Sequence, residues 1–282
     1  MSDIFSLISE LKSKGESCVL ITVISKDGMA PCDVGKKMVV LENNKTIGTI
    51  GGGSIEHFAS KRAKDIFETH ESITENYILN DGKILPNEGE IKLNMACGGK
   101  ATLFYEFVGP KQWVYIFGAG HCGAKLASIL NSLDFYVYLI DDRQDILDNV
   151  KIDGICKINS GFADFFEKYE VSKNRYFVVA TPSHIHDFEV LDKIVEKEIK
   201  PAYFGMLCSK KKVVDYLAKL HEKFGSKINL KNFYSPIGLD LGGDSPSEIA
   251  ISISSEMLSI YYKKDKNISH MREKIDKDKR YF

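Results

Sequence analysis

The stretch "VYIFGAGHCGAKLA", from Val114 to Ala127, decides the fold of the second part of the chain. An apolar run leads into Gly118, Gly120 and Gly123, which have the spacing G-x-G-x-x-G, and a helix-like segment starts at His121. In such a turn the first glycine permits a sharp bend, the second lets the backbone approach a phosphate, and the third lets helix and strand pack closely. Because the N–H groups at a helix start attract negative charge, these residues predict an anion- or nucleotide-binding turn.

Strands and helices alternate after this turn. The apolar segments "YVYLIDDR", "RYFVVATPS" and "AYFGMLCS" are each followed by a segment with helical spacing. This alternation implies right-handed crossovers and a parallel sheet with helices on both faces. We therefore predict an α/β protein in which a Rossmann-like nucleotide- or cofactor-binding domain spans residues 110–282. A smaller, mostly antiparallel α+β domain over residues 1–109 precedes it, joined by the linker "GPKQW".

Two carboxylates close the strand after the glycine turn. Asp141 and Asp142 lie about twenty residues beyond it, where an acidic residue can bind the hydroxyl groups of a ribose. An acid at this position disfavours a phosphate on the ribose, so the sequence favours NAD over NADP. The alternative is a nucleotide-type fold whose crevice is empty or serves another purpose.

The first domain contains a run of three glycines. Gly51, Gly52 and Gly53 precede Ser54 and Glu56 in "GGGSIE". Because glycine loses the most backbone entropy on folding, the run indicates either a positive φ or a ligand lying close to the backbone. A tight strand-to-helix turn with Ser54 as N-cap explains the pattern equally well.

A second glycine turn of this domain carries a thiol. Cys97, Gly98 and Gly99 are followed by Lys100, and a nearby ammonium group favours the reactive thiolate form of a cysteine. Taken alone, Cys97 is more simply interpreted as a buried structural thiol.

Polar residues follow two later strands of the second domain. His184 and His186 in "TPSHIHD" could carry protons or bind a ligand, or could cap a helix. Ser209 and Lys210 begin "SKKK", where cations at a helix start are unfavourable unless an anionic ligand is present. A solvated basic surface is the simpler interpretation of the lysines.

Composition excludes several classes of function. The 282 residues have a formal net charge of −1, which gives no global field for nucleic acid or an acidic membrane. The start of the chain has no basic leader, and no apolar run reaches the roughly twenty residues of a membrane span. The six cysteines form no C-x-x-C pair, which argues against a zinc knuckle and favours free thiols. We therefore expect a cytoplasmic protein.

Several segments, in this order, resemble the xanthine dehydrogenase accessory protein family (XdhC/CoxI). They are "APCDVGKKM", "GTIGGGSIEHFA", "ACGGKATLFYEFV", "VYIFGAGHCGAKLA", "YLIDDR", "TPSHIHD", "YFGMLCSKKK" and "SPIGLDLGGDSPSEIAISISSEML". The resemblance extends over nearly the whole chain, and ordered motifs are far more specific than one glycine fingerprint.

The resemblance implies a chaperone for the molybdenum cofactor (molybdopterin). Such a protein protects the cofactor while its terminal sulfur is installed and inserts it into a xanthine dehydrogenase-type molybdenum hydroxylase. The implied partners are that enzyme, a cysteine desulfurase and a second copy of the chain in a homodimer. The fold that cradles the phosphates of a dinucleotide also suits a molybdopterin phosphate.

The resemblance also carries over site residues of the first domain. The family's glycine turn falls on Gly51, Gly52 and Gly53 with Glu56, and its Cys-Gly-Gly falls on Cys97, Gly98 and Gly99. Cys97 is thereby implied as a contact of molybdenum or its sulfur. Family members commonly have Cys after the three glycines, where this chain has Ser54. The role of that thiol is then absent here or falls to Cys97.

Two other functions are compatible with the sequence, because a fold does not determine a function. One is an NAD-dependent oxidoreductase with His184 or His186 as proton carrier and the first domain as a substrate cap. The other is a regulatory module that senses a nucleotide and docks on a partner enzyme. We favour the non-catalytic accessory factor.

Overall fold

The computed structural model describes residues 3–80, 88–94, 98–171, 175–225, 228, 230–266 and 268. The chain forms two compact units, Met1–Lys111 and Gln112–Phe282. The boundary falls within the "GPKQW" segment.

In its described part, the first unit contains a six-stranded sheet and two helices. Its elements are α1 (Ile4–Ser13), β1 (Cys18–Asp27), β2 (Lys37–Leu41), β3 (Thr46–Gly48), α2 (Ser54–Thr69), β4 (Ile73–Asn80), β5 (Glu90–Asn94) and β6 (Lys100–Val108). The strand order is β3-β2-β1-β6-β4-β5, and the pairs are antiparallel apart from the parallel pair β4–β5. The prediction of a mostly antiparallel α+β domain is confirmed.

The central strand β1 is buried on both faces because its side chains alternate between them. Val19 and Ile21 join the core under α2, whereas Cys18 and Leu20 join the smaller core under α1. The helix α2 buries one stripe of residues at helical spacing. The stripe consists of Ile55, Ala59, Ala63 and Ile66.

The second unit is a parallel sheet covered by helices. Its elements are β7 (Trp113–Phe117), α3 (His121–Ser132), β8 (Tyr136–Asp141), α4 (Gln144–Asn149), β9 (Cys156–Asn159), α5 (Phe162–Lys168), β10 (Tyr176–Val179), α6 (His184–Glu196), β11 (Tyr203–Met206), α7 (Lys210–Phe224), β12 (Phe233–Tyr234) and α8 (Pro246–Tyr261). The six strands of its described part run in the order β12-β11-β10-β7-β8-β9, and each neighbouring pair is parallel. The predicted Rossmann-like parallel sheet is confirmed.

The direction of chain progression reverses at β7. The strands β8 and β9 lie on one side of it, and β10, β11 and β12 lie on the other. This is the strand order of dinucleotide-binding Rossmann domains, in which ligands bind at the carboxyl ends of the strands beside the reversal. The turn that begins with Gly118 follows β7, and the loop that begins with Ala180 follows β10, so both lie at this point.

Both faces of the parallel sheet are buried under helices. One core contains Leu126 and Leu130 of α3 with Ile253 and Met257 of α8. The opposite core is rich in aromatic side chains and is covered by α5, α6 and α7. Within the described ranges, no helix is both long and apolar enough to cross a bilayer.

Candidate functional site

The glycine turn after β7 leaves open space at its second glycine. Gly118 has a φ of +109°, and a Cβ atom added there would overlap the carbonyl oxygen of Ala180. A Cβ atom on Gly123 would overlap the carbonyl oxygen of Gly118. At Gly120, the N-cap of α3, an added Cβ meets no atom of the described residues within 4 Å. Packing therefore requires Gly118 and Gly123 to be glycine but does not require this of Gly120, where a ligand can approach the helix start.

A cleft of about 780 Å³ opens beside this turn. It is lined by Ala119, Gly120, His121, Ala124, Lys125, Ser128, Arg143, Ile146, Asn149, Val150, Lys151, Ile152, Ala180 and Pro182. Its volume lies within the range of about 300–1,000 Å³ usual for small-molecule sites. The structure therefore brings Gly120 and His121 of the turn together with residues that follow β8 and β10.

Asp141 is buried beneath this cleft and holds its parts together. Its side chain is fully buried, and Oδ2 accepts a hydrogen bond of 2.7 Å from the Ala119 N–H. Its two oxygens also accept a bidentate pair from Arg143, with Nε to Oδ1 and Nη2 to Oδ2 both at 2.8 Å. The Arg143 N–H donates a fourth bond to Oδ1, at 3.0 Å. The carboxylate thus links the glycine turn to Arg143.

The electrostatics of Asp141 follow from this pairing. Burial on its own would raise the pKa of the carboxyl, but the hydrogen bonds from Arg143 and Ala119 outweigh it and hold the pKa below its ordinary value. Asp141 is therefore a carboxylate whose acceptor capacity is used within the protein. Asp142 is 42% exposed, and its Oδ1 lies 3.8 Å from Arg143 Nε.

Arg143 is one functional candidate that the sequence analysis missed; Lys125 and Lys151, which line the same cleft, are two others. A cation two residues beyond the acid at the strand end is a recognisable signal, because an arginine near this point accommodates a phosphate on the ribose.

The loop after β10 is fixed by its own polar side chains. Buried Asp187 accepts hydrogen bonds from the Thr181 N–H at 3.2 Å and the Thr181 hydroxyl at 2.6 Å. His186 Nδ1 lies 3.0 Å from Glu189 Oε2, on the surface of α6. His184 begins α6, and its side chain lies outside the described part of the structure. His186 thus pairs along its own helix and does not line the cleft.

Ser209 and Lys210 lie at the start of α7, after β11. Ser209 is the N-cap, but its side chain makes no capping hydrogen bond. Since β10 separates β11 from β7, this helix start lies two strands away from the glycine turn. Neither residue lines the cleft.

In the first unit, Glu56 closes the run of three glycines. All three have positive φ, of +135°, +79° and +68° in chain order. Glu56 Oε1 accepts hydrogen bonds from the Ile50 N–H at 2.9 Å, the Gly52 N–H at 2.8 Å and the Thr49 hydroxyl. Burial would raise the pKa of Glu56, but these hydrogen bonds outweigh it and lower the pKa. Gly53 is the N-cap of α2 and Ser54 its first residue, so the N-cap interpretation of Ser54 is wrong.

The segment Asp27–Cys32 lies against both glycine turns of this unit. A Cβ atom on Gly51 would lie 2.5 Å from the Pro31 carbonyl oxygen, and one on Gly99 would lie 2.5 Å from the Asp27 carbonyl oxygen. Gly98 and Gly99 also have positive φ. The structure therefore brings the two turns to one segment of backbone.

Cys97, the thiol expected beside Gly98, lies outside the described residues. The ammonium of Lys100, expected to favour its thiolate, is paired with Glu90 Oε1 at 2.7 Å. Among the described residues, the cysteines are free thiols, as expected, and no three His, Cys, Asp or Glu side chains form a potential metal site.

Fold and site together define a class of protein: a Rossmann-type domain with an open glycine turn, joined to an α+β domain with two glycine turns of its own. Residues 114–257 match the XdhC Rossmann domain, and residues 11–77 match the XdhC and CoxI family. The chain belongs to the XdhC and CoxI family.

Two curated proteins match parts of the chain. The chain is 26% identical over 261 residues to the uncharacterized protein YqeB of Escherichia coli, covering 92% of this chain and 46% of YqeB. It is 25% identical over 158 residues to a probable xanthine dehydrogenase subunit of Bacillus subtilis, covering 56% of this chain and 45% of that protein. The chain thus spans less than half the length of these curated relatives.

A crystal structure from Bacillus halodurans, described as a xanthine dehydrogenase, has the same fold. The TM-score is 0.50 at 19% sequence identity, and the alignment covers 98% of this chain and 100% of that one.

Proposed function

We propose that this protein is a maturation factor for a xanthine dehydrogenase-type molybdenum enzyme, which holds the molybdenum cofactor and inserts it into that enzyme. Membership of the XdhC and CoxI family and similarity to a probable xanthine dehydrogenase subunit support the client class. The observation that carries the proposal is the open space at Gly120, where a helix start borders a cleft of about 780 Å³.

The residues of the cleft fit the phosphate of molybdopterin. The first N–H groups of α3 have no intrahelical partner, and the helix dipole makes this end favourable for an anion. The cationic side chains of Lys125, Arg143 and Lys151 line the same cleft, and none of its described lining residues is a carboxylate. A phosphate at Gly120 would therefore meet hydrogen-bond donors and positive charge.

When bound, the cofactor supplies the molybdenum centre that the client enzyme uses for its redox chemistry. The role of this chain is to bind and shield. We assign phosphate binding to the turn from Gly118 to Gly123, and we assign to Asp141 the task of keeping that turn in place. Asp142, at the same strand end, is exposed but does not line the cleft.

In the first unit, we keep Cys97 as the proposed contact of molybdenum or its sulfur, because a thiolate is a soft ligand suited to such a centre. Gly98 would give a ligand close access to the backbone, whereas Gly99 packs against the backbone of Asp27–Cys32. Glu56 stabilises the turn formed by Gly51, Gly52 and Gly53, since the N–H groups of Ile50 and Gly52 already donate hydrogen bonds to its carboxylate. A cysteine desulfurase as sulfur donor and a second copy of the chain remain predictions.

Equilibrium binding of the molybdenum cofactor to the purified chain, without oxygen, tests the proposal. Gly120→Asp should weaken binding at least about tenfold, because the carboxylate occupies the open space and repels the phosphate. Gly120→Asn is the matched control of nearly the same size, and it should bind more tightly than Gly120→Asp because it lacks the charge. Undiminished binding by Gly120→Asp would remove the glycine turn from the site.

The NAD-dependent oxidoreductase gains no support from the site. His186 pairs with Glu189 on the surface of α6, and in the described structure it does not line the cleft. His186, one of the two proposed proton carriers, is thus not placed beside the nucleotide turn.

A further inference from the structure

Arg143 presents unused hydrogen-bond donors to the cleft. A guanidinium carries five N–H donors, and Asp141 takes the one on Nε and one on Nη2. Among the described residues, both N–H groups of Nη1 and the second one of Nη2 have no hydrogen-bond partner. Because fully buried Asp141 fixes the guanidinium from below, the side chain is held in place while 38% of it stays exposed.

Two lysines supply further positive charge. Lys125 projects from α3, and among the described residues its ammonium has no ion pair or hydrogen bond. Lys151 follows α4 and donates to the carbonyl oxygen of Asp148 at 2.6 Å. Together with Arg143 they line the cleft on the side of α3 and α4, beyond the carboxyl end of β8.

The position of these cations in the fold indicates which part of a ligand they would contact. In a Rossmann domain the pyrophosphate lies at the glycine turn, and the ribose lies at the end of the following strand, here β8. A carboxylate at that point binds the ribose hydroxyls, whereas an arginine accommodates a phosphate on the ribose. Here the first carboxylate, Asp141, is fully engaged beneath Arg143, and the arginine faces the cleft.

We propose that this cleft binds a nucleotide whose ribose carries a phosphate of its own, and that it prefers NADP to NAD. The inference rests on the proposed function only in that both place a phosphate at the turn from Gly118 to Gly123. It replaces the expectation of NAD, which rested on Asp141 and Asp142 as the acids at the strand end. The negative charge of exposed Asp142 works against this preference, because its Oδ1 lies 3.8 Å from Arg143 Nε and would repel a phosphate bound there.

Matched ligand pairs test the proposal on the full chain. Titration calorimetry compares 2′,5′-ADP with 5′-AMP, and NADP with NAD, so that each pair differs by one phosphate. We expect 2′,5′-ADP to bind at least about tenfold more tightly than 5′-AMP, and NADP at least about tenfold more tightly than NAD, since charge-assisted hydrogen bonds to phosphate are strong. The preference should shrink at high salt.

Variants locate the source of the preference. Lys125→Ala and Arg143→Lys should each reduce the affinity ratio several-fold, because the first removes a charge and the second removes the planar fork. Lys219→Ala is the control, because this lysine is also exposed on a helix, α7, but does not line the cleft. The affinity ratio of this variant should equal that of the unmodified chain. Circular dichroism verifies that each variant is folded.

Three outcomes overturn the inference: equal affinity within both pairs, no binding of either nucleotide, or a ratio that neither Lys125→Ala nor Arg143→Lys changes. If the molybdenum cofactor still binds in those cases, the proposed function stands without this inference. If the ribose phosphate is recognised but the molybdenum cofactor does not bind, the inference stands and the proposed function fails.

Discussion

At the scale of single residues, two carboxylates stabilise glycine turns from within the protein. Asp141 binds the turn after β7 through the Ala119 N–H, and Glu56 binds the run of three glycines through the N–H groups of Ile50 and Gly52. Both carboxyls have lowered pKa values, although burial works in the opposite direction. Each turn is therefore preorganised by an anion of the protein itself.

Asp141→Asn should destabilise the protein by about 2 kcal/mol, because it replaces the bidentate pair with a neutral side chain and leaves Arg143 without its partner. The measurement is the free energy of unfolding from a urea titration. Asp142→Asn is the matched control and should change it by less than about 0.5 kcal/mol, since this side chain is exposed. Equal effects at the two positions would contradict the role given to Asp141.

Glu56 should contribute to acid sensitivity. A carboxyl whose folded-state pKa lies below its ordinary value of 4.5 stabilises the fold fully above that value, and this contribution is lost as the pH falls through the folded-state pKa. In Glu56→Gln the free energy of unfolding should therefore fall less than in the unmodified chain between about pH 5 and about pH 3. Glu68→Gln, at an exposed position on the same helix, should keep the original pH dependence. A Glu56→Gln curve parallel to that of the unmodified chain would refute this assignment.

At the scale of elements, the strand–turn–helix unit of β7 and α3 could be predicted from sequence because its signals are local. Glycine spacing, an apolar strand and an amphipathic helix lie within Val114–Ala127. The role of Asp141 could not be predicted in this way. It depends on Arg143 folding back over the strand end and on contact with Ala119, which lies 22 residues away in the chain.

The same limit applies to the first unit. The run of three glycines indicated either positive φ or a ligand close to the backbone, and the structure has positive φ at all three positions. The approach of Asp27–Cys32 to both glycine turns was not predictable, since it joins segments far apart in the sequence. Ser54 was a plausible N-cap by residue type, but the helix begins one residue earlier than that interpretation requires.

The glycines of the turn after β7 should respond differently to alanine. Gly120→Ala should leave stability unchanged or raise it slightly, because the Gly120 φ of −63° is accessible to alanine and no atom of the described part of the chain lies within 4 Å of the new methyl group. Gly123→Ala should cost more than about 2 kcal/mol, because the methyl group overlaps the Gly118 carbonyl oxygen. Thermal unfolding of the two variants gives the comparison, and similar melting temperatures would argue against the turn described here.

At the scale of the whole molecule, the sequence predicted two domains and a parallel second sheet, because strand–helix alternation permits few topologies. The order β12-β11-β10-β7-β8-β9 is a tertiary property that alternation alone does not determine. The reversal at β7 places the glycine turn, the end of β8 and the loop after β10 at one cleft. A candidate site assembled from three separate segments thus follows from the topology.

Binding of the molybdenum cofactor is the central property proposed for this chain. The deciding measurement is anaerobic binding of that cofactor to the purified chain, followed by transfer to a cofactor-free xanthine dehydrogenase-type enzyme, with Gly120→Asp and Cys97→Ala in parallel. We predict that the unmodified chain binds the cofactor and activates the enzyme. Gly120→Asp should lose affinity at least about tenfold, and Cys97→Ala should retain the cofactor less well. Absence of binding by the unmodified chain, or equal binding and transfer by both variants, would contradict the account.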